Sequence, residues 1–431
     1  YIKTYGCQMN EHDTQRMLSM LDAQGYAPVD TPEQADLILV NTCSVRANPE
    51  NKVYSFMGTL RPLKQQNPDL IVGVAGCVAQ QVGETLLKRE PLVDLVFGPD
   101  NLFALPEMLE SVRRGERLCR TQWQPWDGPV REFVPDGIKA YIAITKGCNN
   151  HCSFCIVPRT RGREVSRSPE GILREARSMV AQGAREIWLL GQNVNSYAGK
   201  KSGGRLDFPD LLKGIESRLD SIRWIRFMSS HPKDLSDKLI EQIGRSRRLC
   251  RHIHLPVQHG ATGVLQRMNR RYTREAYLEL VERIRSGIPG ISLTTDILIG
   301  FPGETQTDFE DTLRLVKEVR YDDAFTYKYN TREGTAAAAY ADQVPEEQKS
   351  ARLSQLIDLQ RKITDHNKME RLGSEAEVLI EGPSRKNPDE YLGRTSRNEM
   401  VVFPKAQHRS GEFGRFRLCS LAGATFKAEE V

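Results

Sequence analysis

Three cysteines crowd into eight residues at Cys148, Cys152 and Cys155, within the run G-C-N-N-H-C-S-F-C-I-V-P-R-T-R-G-R from Gly147 to Arg163. A zinc site made from local cysteines wants C-x2-C pairs and a fourth ligand close by. Here the count stops at three. Iron–sulfur clusters are held by thiolates at short spacings, and a four-iron cube on three thiolates keeps one iron free to bind something else. Three buried structural thiols are the alternative, because free cysteine also packs as a small hydrophobe. The loop follows an apolar run, Ala140–Thr145, so whatever the chain folds into must present these thiols just past the end of a strand.

The run resembles the cluster-binding loop of the radical S-adenosylmethionine (SAM) enzymes, and Phe154 matches the aromatic that family places before its third cysteine. The chain of 431 residues is too long for one core, and about three domains is the prior. No apolar run approaches the roughly 18 residues of a membrane helix, and no signal or transit pattern opens the chain. It begins at Tyr1 rather than Met, so a few preceding residues are expected. Nine cysteines in an intracellular-looking chain argue for metal or catalysis before disulfides. A cytoplasmic protein, and a monomer, is the expectation.

Three apolar runs near the N-terminus each lead to a cysteine: Tyr1–Tyr5 to Cys7, Asp36–Val40 to Cys43, and Leu70–Ala75 to Cys77. Helical patterns follow at about 13–23, 49–64 and 79–88. A fourth strand at Val93–Phe97 precedes a helix near 101–113. Strand alternating with helix predicts an open parallel sheet, whose ligand crevice lies beyond the carboxyl ends of its strands. Cys7, Cys43 and Cys77 all fall there and can converge. A second three-thiolate cluster is the better reading, with Gly6 and Gly76 allowing close backbone passage. Y-G-C-Q-M-N (Tyr5–Asn10), N-T-C-S-V-R (Asn41–Arg46) and G-C-V-A-Q-Q (Gly76–Gln81) resemble the N-terminal domain of the methylthiotransferases, as does Asp94–Asn101. The resemblance implies that Cys7, Cys43 and Cys77 hold an auxiliary 4Fe–4S cluster. Cys119–Gly137 reads as a linker, with Cys119 incidental.

From about 138 to 365, strand-like runs recur at 140–145, 186–190, 224–227, 252–255, 293–299 and 324–329, with helical patterns between them. They predict a partial (β/α)6 barrel, the fold the resemblance also implies. Barrel chemistry sits on the loops after the strands. Candidate SAM contacts there are Phe154, Gln192, Asn193, Asn195, Ser229, Ser230, Gln258 and Asp296. His231, His252, His254 and His259 read as satisfied structural histidines. Leu189–Tyr197, Arg267–Arg270 and Thr295–Thr305 resemble the tRNA methylthiotransferase branch. Gln258–Ala261 departs from it, reading Q-H-G-A where Q-S-G-S is the pattern, which puts a polar contact in doubt.

Charge is informative only by its distribution. Residues 1–120 carry 12 Lys+Arg against 15 Asp+Glu, a balance of −3, while residues 244–274 carry eight Arg and no acid. Such a block is either a solvated face or a phosphate-tracking surface. Candidate RNA contacts are Arg159, Arg161, Arg163, Arg267, Arg270 and Arg271, with Arg167 near them. Residues 370–431 carry five short alternating runs that suggest a small OB-like barrel. Glu381–Ser384, Gly393–Thr395 and Val401–Pro404 resemble the TRAM domain, which binds RNA. Cys419 lies in a strand pattern and reads as packing.

The chain as a whole is thus expected to be α/β: an open parallel-sheet domain (1–125), a radical SAM barrel (138–365) and a TRAM β-barrel (370–431). The resemblance implies a tRNA methylthiotransferase that adds a methylthio group to C2 of isopentenyladenosine beside the anticodon. It implies two 4Fe–4S clusters and SAM, cleaved to a 5′-deoxyadenosyl radical at the loop cluster, with sulfur presented by the auxiliary one and methylated by a second SAM. Partners implied are the tRNA anticodon stem-loop and a flavodoxin-like or ferredoxin-like reductant. Alternatives are threonylcarbamoyladenosine or a ribosomal-protein aspartate as substrate, and a metal-bound RNA-binding module without catalysis.

Overall fold

The computed structural model describes residues 1–44, 49–124, 126, 137–201, 204–384, 386–405 and 408–431. Val45 and Arg46 of the Asn41–Arg46 motif, and most of the 119–137 linker, lie outside the described residues. Near the N-terminus five parallel strands, among the described residues, form one sheet in sequential order: Ile2–Tyr5, Leu37–Thr42, Ile71–Gly76, Leu95–Phe97 and Leu118–Arg120. Leu37–Thr42 and Ile71–Gly76 are buried at every position, which is why they read as unbroken apolar runs rather than alternations. Leu37 and Leu39 pack with Met17, Met20 and Leu105 on one face. Ile38 and Val40 pack with Met57, Leu60 and Val78 on the other. Alternate side chains therefore serve opposite layers.

The strand Leu118–Arg120 corrects the linker expectation. It is three half-buried residues on the sheet edge, held by pairing with Leu95–Phe97 rather than by any pattern of its own. Because sheet neighbours are also sequence neighbours, no reversal of strand order opens a crevice within this sheet. The crevice forms where the sheet meets the next domain.

Among the described residues, six parallel strands form that domain in two sets of three. Lys139–Ala143, Glu186–Leu190 and Trp224–Phe227 make the first, and His252–His254, Ser292–Ile299 and Asp323–Lys328 the second. A parallel bridge from Ile225 to Leu249 joins them, giving the partial barrel. The helices Pro169–Ala181, Phe208–Glu216, Asp237–Arg245, Arg274–Gly287 and Gln306–Val319 begin on Ser168, Asp207, Ser236, Thr273 and Thr305. Each of those side chains accepts a backbone N–H of the first turn, a cap that stabilises by about 1 kcal/mol. A hairpin, Ala198–Lys201 with Gly204–Asp207, and a short helix, Thr262–Arg267, are further elements.

The C-terminal strands Glu375–Pro383, Glu390–Thr395, Met400–Pro404, Phe413–Ala422 and Thr425–Glu430 close into a barrel. Cys419 is exposed on it and does not pack, because alternation turns it outward between Leu418 and its neighbours. This barrel docks at the amino ends of the central strands. Arg226 donates to Thr395 O at 2.6 Å and Ser396 O at 3.0 Å, Arg397 pairs with Asp322 at 2.7 Å, and Trp224 meets Phe413 edge-on. Among the described residues, no helix is long and apolar enough to cross a membrane.

Candidate active site

The opposite, carboxyl ends of the central strands carry the cysteine loop. Gln192 Oε1 accepts Gly147 N–H at 2.7 Å, and Gly162 O accepts Cys148 N–H at 3.2 Å. Met268 O accepts Ser153 N–H, and Arg267 O accepts the Ser153 hydroxyl at 2.8 Å. The loop is therefore pinned from two sides by backbone acceptors of its own barrel. Cys148 Sγ accepts Asn150 N–H at 3.4 Å, and Cys152 Sγ accepts from Arg270 Nη1 at 3.5 Å. Burial pushes the Cys155 thiol up to about 12, reinforced by the neighbouring Cys152 and Cys148. The three sulfurs thus sense one another as a group. Phe154 packs edge-on against Phe301 at 6.5 Å.

The second trio is assembled at distance. Cys7 caps the helix Gln8–Asp22, Cys43 follows the strand Leu37–Thr42, and Cys77 opens the helix Cys77–Arg89. Two buried amides hold these strand ends together. Asn10 Nδ2 donates to Asn41 Oδ1 and Thr42 O, both at 3.2 Å, and Asn41 Nδ2 returns a bond to Asn10 O at 2.8 Å. Gly6 and Gly76, both at positive φ, make this possible. A Cβ on Gly6 would stand 2.7 Å from Cys43 Cβ, and one on Gly76 would stand 2.5 Å from Thr42 O. The Cys7 thiol is lowered to about 6, chiefly by a hydrogen bond with Cys43 that outweighs burial, helped by the Arg161 charge and the N–H groups of Met9 and Asn10.

Two arginines join the trios. Arg161, 4% exposed, donates through Nε to Cys77 Sγ at 3.3 Å and through Nη2 to Asp13 at 2.8 Å. Arg332 donates to Ser44 O. Burial lowers the Arg332 pKa, and the nearby Cys43 and Cys155, one from each trio, oppose that shift. Cys7 and Met9 also pack against Ala143, Trp188 and Leu190 of the barrel sheet. The buried pair Lys146–Asp100, at 2.7 Å, crosses the same junction. Among the described residues, no three His, Cys, Asp or Glu side chains converge on a point suited to one metal ion. Thiolates on an iron–sulfur cube bind separate irons, so they surround the group without meeting at a point, and the donor sets fit it.

The other expected residues divide. Asn195 exchanges two bonds with the His231 backbone, at 2.9 and 3.1 Å, and Asn193 Nδ2 donates to Asp234 at 2.7 Å. These bonds order loops, Asn193 Oδ1 is buried without a partner, and Gln192 holds the cysteine loop. Ser229 and Gln258 are half-buried at φ 69°, and Asp296 Oδ1 lies 3.5 Å from His254 Nε2. The buried Ser230 Oγ and His231 Nε2 have no partner. His231 is satisfied at Nδ1, which accepts Lys233 N–H at 3.3 Å, and His252 Nδ1 is likewise without a partner. Burial, with Arg270, Lys233 and Arg271 nearby, lowers His231 to about 2, so it stays neutral. His259 is fully buried, 3.2 Å from Glu304, and its Nδ1 accepts Ala261 N–H. The Q-H-G-A departure is therefore a packed interior turn.

Arg161 and Arg270, expected among the RNA contacts, turn inward to the thiols. Both are buried, and Arg270 holds Pro256 O at 2.7 Å as well as Cys152. Arg267 pairs with Asp342 at 2.6 Å. Arg159, Arg163 and Arg271 remain exposed. Much of the 244–274 block is engaged internally: Arg248 and Arg251 cap helix carbonyls, and Arg274 pairs with Glu318. Arg332, Arg270 and Asp13 as thiol-site partners had no sequence signal, since each depends on which way the fold turns a common residue type.

Residues 1–98 match the family described as "Uncharacterized protein family UPF0004", residues 142–316 the radical SAM superfamily, and residues 370–416 the TRAM domain. A protein of Carboxydothermus hydrogenoformans named tRNA-2-methylthio-N(6)-dimethylallyladenosine synthase is 48% identical, covering 100% of this chain and 98% of its own length. One of the same name from Moorella thermoacetica is 45% identical, with the same coverage. Among solved structures, the radical SAM methyltransferase TsrM of Kitasatospora setae is similar in fold. It has a TM-score of 0.56 and 17% identity, over 76% of this chain and 74% of that one. With its three matched domains and full-length relatives, this chain belongs to the tRNA-2-methylthio-N(6)-dimethylallyladenosine synthase family of the radical SAM superfamily.

Proposed function

We propose that the chain adds a methylthio group to C2 of N6-isopentenyladenosine next to the tRNA anticodon, with one 4Fe–4S cluster on Cys148, Cys152 and Cys155 and a second on Cys7, Cys43 and Cys77. Membership of the radical SAM superfamily implies one such cluster and SAM. The observation that supports the rest is geometric: Arg161, in the segment that follows Cys155, donates through Nε to Cys77 Sγ at 3.3 Å, linking the loop that bears one donor set to the other. When bound, these groups supply one-electron cleavage of SAM and a transferable sulfur, chemistry suited to an aromatic C–H that offers neither an acidic proton nor a leaving group.

The chain's residues position and insulate. Arg161 and Arg270 each hold a guanidinium group against one sulfur, Cys77 Sγ and Cys152 Sγ respectively. Asp13 fixes Arg161 in turn. Met9, Trp188 and Leu190 keep water from the junction. Ser229, Ser230, Gln258 and Asp296 would hold SAM, with the unpartnered Ser230 Oγ and His231 Nε2 as the polar atoms awaiting a ligand. The substrate base reaches this depth only if splayed from a single-stranded loop, as an anticodon loop provides. A small flavodoxin-like or ferredoxin-like protein would supply electrons.

The test is anaerobic reconstitution with iron, sulfide, SAM, a reductant and an anticodon stem-loop carrying isopentenyladenosine, followed by mass analysis of the nucleoside. Gain of one methylthio group supports the reading. An unchanged nucleoside beside SAM cleavage refutes this substrate, and methylthiolation of a threonylcarbamoyladenosine loop instead redirects it.

A further inference from the structure

A cleft of 1180 Å³ opens onto the junction, lined by residues of both domains that include Val78, Arg89, Trp123, Ile156, Arg159 and Arg332. Its most buried lining residues include two apolar side chains. Val78 and Ile156, each 2% exposed, adjoin Cys77 and Cys155. Its rim is different. Trp123 is 51% exposed, whereas Trp188 and Trp224 are buried. A single exposed apolar side chain is ordinary, and Trp123 differs in what surrounds it.

This indole is also held still. Gln80 donates to Thr121 O at 2.7 Å, Asn101 donates to Gln122 O at 2.9 Å, and Asp100 accepts Gln124 N–H at 3.3 Å. Its six-membered ring rests on Gly162, where a Cβ would lie 3.0 to 3.5 Å from three ring carbons. One side is thus supported by the segment that carries Arg161, and the remainder faces outward. Two exposed arginines share the rim. Arg89 lies 4.3 Å over the Tyr54 ring, and the Arg159 guanidinium lies against Gly334. Neither has an acidic partner among the described residues.

We propose that the rim binds single-stranded RNA, with Trp123 stacking on the nucleobase beside the reacting adenosine and Arg89 and Arg159 holding the phosphates that flank it. This rests on the function proposed above and specifies how its substrate is gripped. A pinned aromatic with free guanidinium groups beside it is the arrangement that suits unpaired nucleotides, since every base offers a face to stack and every linkage a charge. The reacting base itself belongs beside Val78 and Ile156, the chain neighbours of Cys77 and Cys155, and not beside Trp123. Stacking a neighbour on the rim holds the strand open at that step.

The test binds an isopentenylated anticodon stem-loop, with 2-aminopurine at either position flanking the modified adenosine, to the reconstituted holoprotein. Stacking on Trp123 quenches that fluorophore. In Trp123→Ala the quench disappears and affinity falls roughly tenfold or more, the worth of one base–aromatic stack, while Trp123→Phe keeps most of both and iron content stays constant. Arg89→Ala and Arg159→Ala each flatten the dependence of log Kd on log salt by about 0.7. A Trp123→Ala protein that binds within twofold of the unaltered chain, with the quench intact, overturns the proposal. Equal loss in Trp123→Phe and Trp123→Ala overturns it too. If the unaltered holoprotein ignores the isopentenylated RNA altogether, the functional reading fails with it. If that protein binds and modifies the RNA while Trp123→Ala matches it, the rim site alone fails.

Discussion

Cys148, Cys152 and Cys155 are placed by one loop, whereas Cys7, Cys43 and Cys77 are placed by a sheet. The loop trio comes from one short stretch of sequence, which Gln192 pins at Gly147 and the carbonyls of Arg267 and Met268 pin at Ser153. The sheet trio needs three strands in register and the Asn10–Asn41 amide pair across their ends. Each trio has its own buried arginine, Arg270 for the loop and Arg161 for the sheet. The same kind of donor set can therefore be drawn from one stretch of sequence or from three separate ones, and the two should fail differently.

The largest effects come from the thiols themselves. Cys43→Ala should lower bound iron from about eight to about four per chain, the content of one four-iron cube, and abolish methylthio transfer while SAM cleavage persists. Cys152→Ala should lose the same iron and abolish SAM cleavage as well. Iron analysis and deoxyadenosine release separate the two, and loss of cleavage in Cys43→Ala would erase the distinction. Next come the arginines. Arg161→Gln leaves Asp13 as a buried unpaired charge and should destabilise by about 3–5 kcal/mol, read by denaturant melts. Its iron loss should fall on the sheet trio, whereas Arg270→Gln should weaken the loop trio. Equal spectra for both variants would remove the pairing of one arginine with one trio.

Asn41→Ala is a finer probe. It strands Asn10 and should cost about 1–3 kcal/mol, loosening the sheet trio while SAM cleavage continues. Thr305→Ala removes the cap of the helix Gln306–Val319, a hydroxyl whose hydrogen bonds run to Asp308 and, among the described residues, to no cysteine. It should cost about 1 kcal/mol with iron content unchanged, which makes it the control for stability loss alone.

Much of this arrangement is legible before any coordinates. Leu37–Thr42 and Ile71–Gly76 announce themselves because a buried parallel strand must be apolar throughout, and a cysteine at each end follows from reading where the run stops. Leu118–Arg120 is silent, since three half-buried residues on an edge are held by their neighbour and not by composition. The hairpin Ala198–Lys201 with Gly204–Asp207 is silent for a related reason: its second strand is largely exposed, so no period of two is imposed on it. The arginines are the clearest limit. Arg159, Arg161 and Arg163 alternate in one run, yet the first and last reach solvent while the middle one is buried against Cys77 and Asp13. Charge counts cannot distinguish a guanidinium bound for phosphate from one bound for a thiolate. His259 and Ala261 show the same limit, because a motif departure looks like a changed contact until burial places both inside.

The most direct measurement is Mössbauer spectroscopy with iron counting on the anaerobically reconstituted chain and on its C7A/C43A/C77A variant. Two 4Fe–4S populations in the unaltered protein, with one of them missing from the variant, is the predicted result. A single population in the unaltered protein, or a variant that keeps all its iron, would contradict it.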